Sequence, residues 1–187
     1  MADLVILEKN KKMKRLFNLG IIALLVVFSS ACNKCRKLDC KNEATCEKRE
    51  GVCNCNFLYT GELCEEEIRK SYVGTYDGVI SFPNPSNPFK TEETDLPVNI
   101  FIQGSNANGL GVNFTFLDTR YELTGELTAE DAFTFNAQKM TVDGFGDITV
   151  LSTSNGTFNG NALNATINIR LEDLPEFPLK LTFAGSK

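Results

Sequence analysis

Leu163-Asn164-Ala165-Thr166-Ile167-Asn168-Ile169-Arg170-Leu171 sets an apolar side chain at every second position and a polar one between most of them. A period of two marks a strand with one buried and one wetted face, because successive side chains leave a pleated backbone on opposite sides. The pattern recurs outward from this stretch. Phe177, Leu179, Leu181 and Phe183 follow it; Ile148 and Val150, Met140 and Val142, Phe133 and Phe135, and Tyr121, Leu123 and Leu127 precede it. Further back stand Leu110, Val112, Phe114 and Phe116, then Val98, Ile100 and Ile102. A first strand carries Tyr72, Tyr76, Ile80 and Phe82 on one face and ends in the irregular loop Pro83–Pro88. Gly, Asn and Pro clusters separate these runs, and none has the period of a helix. Residues 71–187 are therefore expected to form eight or nine antiparallel strands, with a sandwich as the alternative to an up-and-down barrel. Closure into a barrel is favoured because it leaves no free edge.

Composition narrows the chemistry. The chain of 187 residues is 42% apolar and 23% charged, with formal charge −5 and neither histidine nor tryptophan. Without histidine there is no Ser-His-Asp or Cys-His catalysis and no His-ligated zinc. The acidic balance argues against nucleic acid. No nucleophile-elbow or phosphate-loop motif occurs. Glu92, Glu93 and Asp95, and the pair Asp143 and Asp147, read as solvated loop charges rather than a carboxylate dyad or calcium loop. Asn113, Asn155 and Asn164 begin Asn-x-Thr triplets and read as ordinary strand and turn polar residues. No enzyme, no metal and no cofactor is expected.

The N-terminus reads as an address. Basic Lys14-Arg15 precede the apolar run Leu16–Phe28, which is shorter than the roughly 17 residues a membrane span needs. Ser29-Ser30-Ala31-Cys32 follows and resembles the lipobox of bacterial lipoproteins, with Ser29 where the family favours leucine. The resemblance implies cleavage after residue 31, lipidation of Cys32 and attachment to a membrane of the cell envelope, the outer membrane above all. Met13 is the better start for such a signal. The chain from residue 32 keeps 14 basic against 22 acidic side chains, so the lipid, not a basic patch, must supply the attachment.

The other six cysteines, Cys35, Cys40, Cys46, Cys53, Cys55 and Cys64, are spaced C-x4-C-x5-C-x6-C-x-C-x8-C. In an exported chain an even set reads as a disulfide framework, and so few large apolar residues lie between them that staples are needed. Spacing alone leaves every connectivity open. The spacing, with Tyr59-Thr60-Gly61 before the last cysteine, resembles EGF-like modules. That resemblance implies Cys35–Cys46, Cys40–Cys53 and Cys55–Cys64, with the central hairpin turning at Glu50-Gly51. The module is expected over residues 32–66 and a charged connector over 67–70.

Gly74-Thr75-Tyr76 is similar to the G-x-W entry of lipocalins, and Phe183-Ala184-Gly185-Ser186-Lys187 to the closing strand of calycin-like lipoprotein domains. The resemblance implies a late-strand arginine crossing the Tyr76 ring, a role that falls to Arg170. Tyr72, Tyr76 and Tyr121 are the expected hydrogen-bonding groups for a small apolar ligand inside such a barrel. A barrel with a filled interior, docking a surface protein or glycan in adhesion or as a structural element, is the alternative. In either case the cysteine module is expected to serve as a spacer.

Overall fold

The structure, a computed structural model, describes residues 34–84, 87–143, 146–172 and 174–187. The apolar run and Cys32 lie outside the described residues. The described chain forms two compact units, residues 34–55 with 62–64, and residues 56–61 with 65–187.

The first unit is held by covalent staples. A 3-10 turn, Lys34–Lys37, precedes a hairpin of β1 (Thr45–Glu47) and β2 (Val52–Asn54), with Cys46 opposite Cys53. The bridges are Cys35–Cys46, Cys40–Cys53 and Cys55–Cys64, the pairing implied by the family resemblance. Gly51 turns the hairpin with φ +73°, and a Cβ there would meet the Lys34 Cβ at 2.6 Å. Both facts call for glycine. The Asn42 amide donates to the Cys64 carbonyl at 2.6 Å, and the Lys41 N–H to the Leu63 carbonyl at 2.8 Å.

The second unit opens with β3 (Tyr59–Thr60), β4 (Glu66–Glu67) and the single turn α1 (Arg69–Tyr72). It continues as β5 (Gly74–Asn84), β6 (Asn87–Asp95), β7 (Val98–Ile102), β8 (Gly109–Phe116) and β9 (Thr119–Ala129). Then come β10 (Ala132–Phe135), β11 (Gln138–Val142), β12 (Gly146–Val150), β13 (Asn155–Asn159), β14 (Ala162–Leu171) and β15 (Leu174–Ser186). Each pairs antiparallel with its neighbour, and β15 returns to β5, closing an eight-stranded up-and-down barrel. Three of the eight staves are broken in two: β6 with β7, β10 with β11, and β12 with β13. The long strand β14 spans one such break, pairing Leu163 with Phe158 of β13 and Ile169 with Val150 of β12.

Two staves differ from the sequence expectation. Residues 87–95, read as loop with solvated charges, form β6, and Asn155-Gly156, read as a turn, opens β13. Both lack an apolar stripe: β6 shares its register with β5, and β13 is short and glycine-bearing. Tyr72 lies in α1 rather than on the first strand.

The period of two fills the interior. Tyr76, Ile100, Leu110, Leu123, Phe133 and Leu163 are all at most 2% exposed. The connector region also enters the core. Ile68 is buried, and its N–H donates to the Leu58 carbonyl at 2.9 Å. Leu58 packs on the same apolar cluster, while Tyr59 and Thr60 pair with Glu67 and Glu66. Residues 56–61 and 65–66 of the expected module therefore group with the barrel, whereas 62–64 group with the first unit.

Candidate functional site

The barrel has two unlike ends. Where β5 begins and β15 finishes, the interior is closed by aromatic rings. Tyr72 stacks on Phe158 with centroids 3.9 Å apart and planes 8° from parallel. Phe158 stacks in turn on Phe133 at 5.2 Å, and Phe133 meets Phe135 edge-on at 5.1 Å. Gly156 makes room: a Cβ there would come within 2.3 Å of the Phe133 ring.

Polar groups complete this end. The Tyr72 hydroxyl donates to the Glu130 carbonyl at 2.6 Å and the Tyr76 hydroxyl to the Tyr72 carbonyl at 3.0 Å. Burial, reinforced by the neighbouring Tyr72, pushes the Tyr76 phenol up to about 12. Burial, then the Glu130 carboxylate, also raises Tyr72. Arg69 is 3% exposed; its Nε donates to Glu67 at 2.8 Å, and its Nη1 reaches the carbonyls of Asn106 at 2.6 Å and Gly109 at 3.1 Å. One guanidinium thus holds the β7–β8 loop in place, using its fixed fork of donors.

The cation over Tyr76 is Lys187, not Arg170. Its Nζ lies 5.1 Å from the ring centroid and donates to the Ser71 carbonyl at 2.8 Å, and burial holds its ammonium below the usual range. Arg170 is exposed on β14 opposite Thr149, because alternation turns it outward between Ile169 and Leu171.

At the other end the interior holds an apolar cavity of about 80 Å³. Ile80, Leu96, Leu123, Ile148, Val150 and Ile167 line it, and Phe82, Phe116 and Leu179 stand toward its mouth. The rings of Phe82 and Phe116 meet edge-to-face at 6.5 Å, 83° apart. Among the described residues no lining side chain carries a charge or a hydroxyl, and these offer water none of the polar partners it needs. In the closed half the corresponding void is about 20 Å³.

The breaks in the staves determine where the wall holds. Between β9 and β11 the ladder is replaced by Gln138: its Oε1 accepts from the Thr124 N–H at 3.0 Å, and its Nε2 donates to the Glu122 carbonyl at 2.9 Å. Between β12 and β13, buried Ser154 accepts the Asn168 N–H at 2.9 Å. Sequence reading missed both residues, as it missed Arg69. Each is a polar residue amid apolar alternation, a signal that does not separate a plug from a solvated turn.

The mouth-end carboxylates are engaged singly. Asp143 accepts from Thr119 at 2.5 Å and Asp147 from Thr141 at 2.6 Å. Glu172 accepts from the Thr149 hydroxyl at 2.6 Å and pairs with Lys139 at 3.2 Å. These contacts, the Thr149 bond foremost, hold it below the usual carboxylate range. The Tyr121 hydroxyl accepts the Asp143 N–H at 3.0 Å. Tyr72, Tyr76 and Tyr121 therefore all direct their oxygens at backbone atoms, and none of them lines the cavity.

No family model and no curated protein matches the sequence. Among the solved structures that the chain is similar to are two. One is a Bacteroides fragilis protein whose name proposes an outer-membrane location: 16% identity, TM-score 0.44, over 64% of this chain and 52% of that one. The other is a redesigned β-barrel: 15% identity, TM-score 0.39, over 64% of this chain and 94% of that one. This chain thus spans about half the length of the Bacteroides protein.

Proposed function

We propose that this chain is a lipid-anchored, non-catalytic protein of the bacterial cell envelope whose barrel takes the end of a slim apolar molecule. Attachment rests on the signal-like run and Cys32; the EGF-like spacing makes residues 32–66 a stapled spacer in chain order between the lipid and a lipocalin-like barrel. The observation that carries the binding role is the cavity, whose described lining is apolar and includes the edge-on rings of Phe82 and Phe116. At about 80 Å³ it is roughly half the ~150 Å³ apolar cavity known to admit benzene. That size suits the terminus of a linear alkyl chain and rejects a sterol nucleus. With no polar side chain among the described lining residues, shape and exclusion of water would hold the chain, and the ligand's head would stay outside.

Thermal unfolding of the protein lacking residues 1–32 tests this. 1-Octanol should raise the melting temperature, since ligand at a hundredfold its dissociation constant adds about 2.7 kcal/mol. Cholesterol should leave it unchanged. Leu181→Phe, which fills the cavity from β15, should abolish the octanol shift. An unshifted wild type, or an equal shift in the filled variant, refutes the reading.

A further inference from the structure

The barrel wall has one break that nothing among the described residues fills. Leu96 donates its N–H to the Gly78 carbonyl at 2.8 Å. In an antiparallel ladder this assigns alternate residues to alternate sides. Thr94 and Glu92 turn their backbone groups toward β5, opposite Ile80 and Phe82, and Thr91, Glu93 and Asp95 turn theirs away. Pro83 opposite Thr91 agrees, since a proline there has no N–H to lose. On the far side of the stave, β7 pairs with β8 from Ile102 up to Val98 opposite Phe114, and the pairing stops at Pro97. Pro97 has no N–H for the next rung. Beyond it β6 pairs with β5 alone. Thr91, Glu92, Glu93 and Asp95 are all exposed.

We propose that β6 is a docking edge for an extended segment of a partner protein, one that alternates apolar and basic residues. Three outward N–H groups and three outward carbonyls, at Thr91, Glu93 and Asp95, form a template for one added strand. The Glu93 and Asp95 side chains share the outer face with Ser81 and Val79, so residues of the added strand on that face would be basic. Its other residues would face the side of Phe82 and Phe116, where apolar groups can pack on the rings beside Thr94 and Glu92, the Glu92 carboxylate being taken by the Asn84 amide. Lys90 is the one basic residue against Glu92, Glu93 and Asp95. Two copies joined through β6 would set these carboxylates against one another, which disfavours a self-dimer. The same charges that protect the edge from unselected strands therefore select a basic one. The proposal does not depend on a ligand in the cavity.

The probe is a short fluorescent peptide alternating lysine and valine, added to the protein lacking residues 1–32. It should bind, and the amide protons of Thr91, Glu93 and Asp95 should gain exchange protection in the complex. Methylation of every second peptide nitrogen, on the side facing the edge, should weaken binding about tenfold or more by removing the ladder. Glu93→Lys with Asp95→Lys should weaken it similarly and favour a glutamate–valine peptide instead, with the melting temperature of the free protein unchanged. Equal affinity for the methylated peptide would show charge attraction without strand addition. No binding, no protection at the three amides, or sedimentation as a dimer that the double variant dissolves would each overturn the proposal.

Discussion

At the end of the barrel where β5 begins, Tyr72, Phe158 and Phe133 stack, Lys187 lies over Tyr76, and Arg69 ties down a loop from within. At the other end the same alternating strands surround about 80 Å³ of apolar space, where, among the described residues, Phe82 meets Phe116 edge-on and Phe114 meets Tyr121 at a tilt. Strand content does not separate the two halves. Ring size and buried polar anchors do. Large flat side chains fill a tapering interior, and each hydroxyl or guanidinium among them is satisfied by a backbone carbonyl, so that end behaves as a core. Aliphatic side chains at the other end stop short of the axis and leave room.

The contrast can be broken most sharply at Arg69. Replacing it with methionine leaves Glu67 and several loop carbonyls without their donor, and removing one partner of a buried pair costs about 3–5 kcal/mol. Urea unfolding should show that loss. A value under about 1 kcal/mol would mean that the rings alone close this end.

Next in size is a matched pair of truncations. Phe158→Ala removes a 3%-exposed ring from the stack and should cost about 3–4 kcal/mol. Phe116→Ala, at the half-buried mouth, should cost about 1 kcal/mol and widen access for octanol. Similar costs for the two would erase the distinction between the ends. Gly156→Ala tests tightness from the opposite direction. With the Phe133 ring in its way, the added methyl should destabilise by about 1–3 kcal/mol, as overpacking does.

The smallest effect is alkaline. Tyr76 is neutral in the fold up to about 12, against an ordinary 10.0 when unfolded. The unfolded chain therefore loses this proton first. The stability from Tyr76 is full below pH 10, falls as pH rises from 10 toward 12, and is gone above that. Lys187, held below its usual range, acts with the opposite sign at lower pH, so the informative quantity is the difference between wild type and Tyr76→Phe. That difference should shrink across the window; a constant difference would place the Tyr76 hydroxyl in contact with water.

Much of this was legible along the chain. Leu110 to Phe116 and Leu163 to Leu171 became β8 and β14 with the expected faces inward, because a half-buried strand imposes its period directly on the sequence. The cysteine-rich stretch was equally legible as a disulfide framework, and its three bridges follow the pairing expected for it. Hidden from the sequence were β6, whose residues show no apolar stripe, and the placing of polar side chains. Arg170, Lys187, Arg69 and Gln138 are all polar residues in or beside strands. Which of them points outward, crosses a ring, anchors a loop or replaces a rung depends on neighbours distant in the chain. The expected tyrosines show the same limit: all three were singled out for amphipathic character, and all three hydroxyls meet backbone groups.

Alternation into antiparallel strands over residues 71–187, and the need for staples in the cysteine-rich stretch, can be read along the chain alone. Period and composition are local properties that each strand carries alone. That the interior is packed at one end and hollow at the other, and that the wall parts beside β6, emerges when distant strands meet. Cavity volume depends on how side chains from eight staves meet at the axis. A free edge depends on a proline falling where the next strand would otherwise have paired.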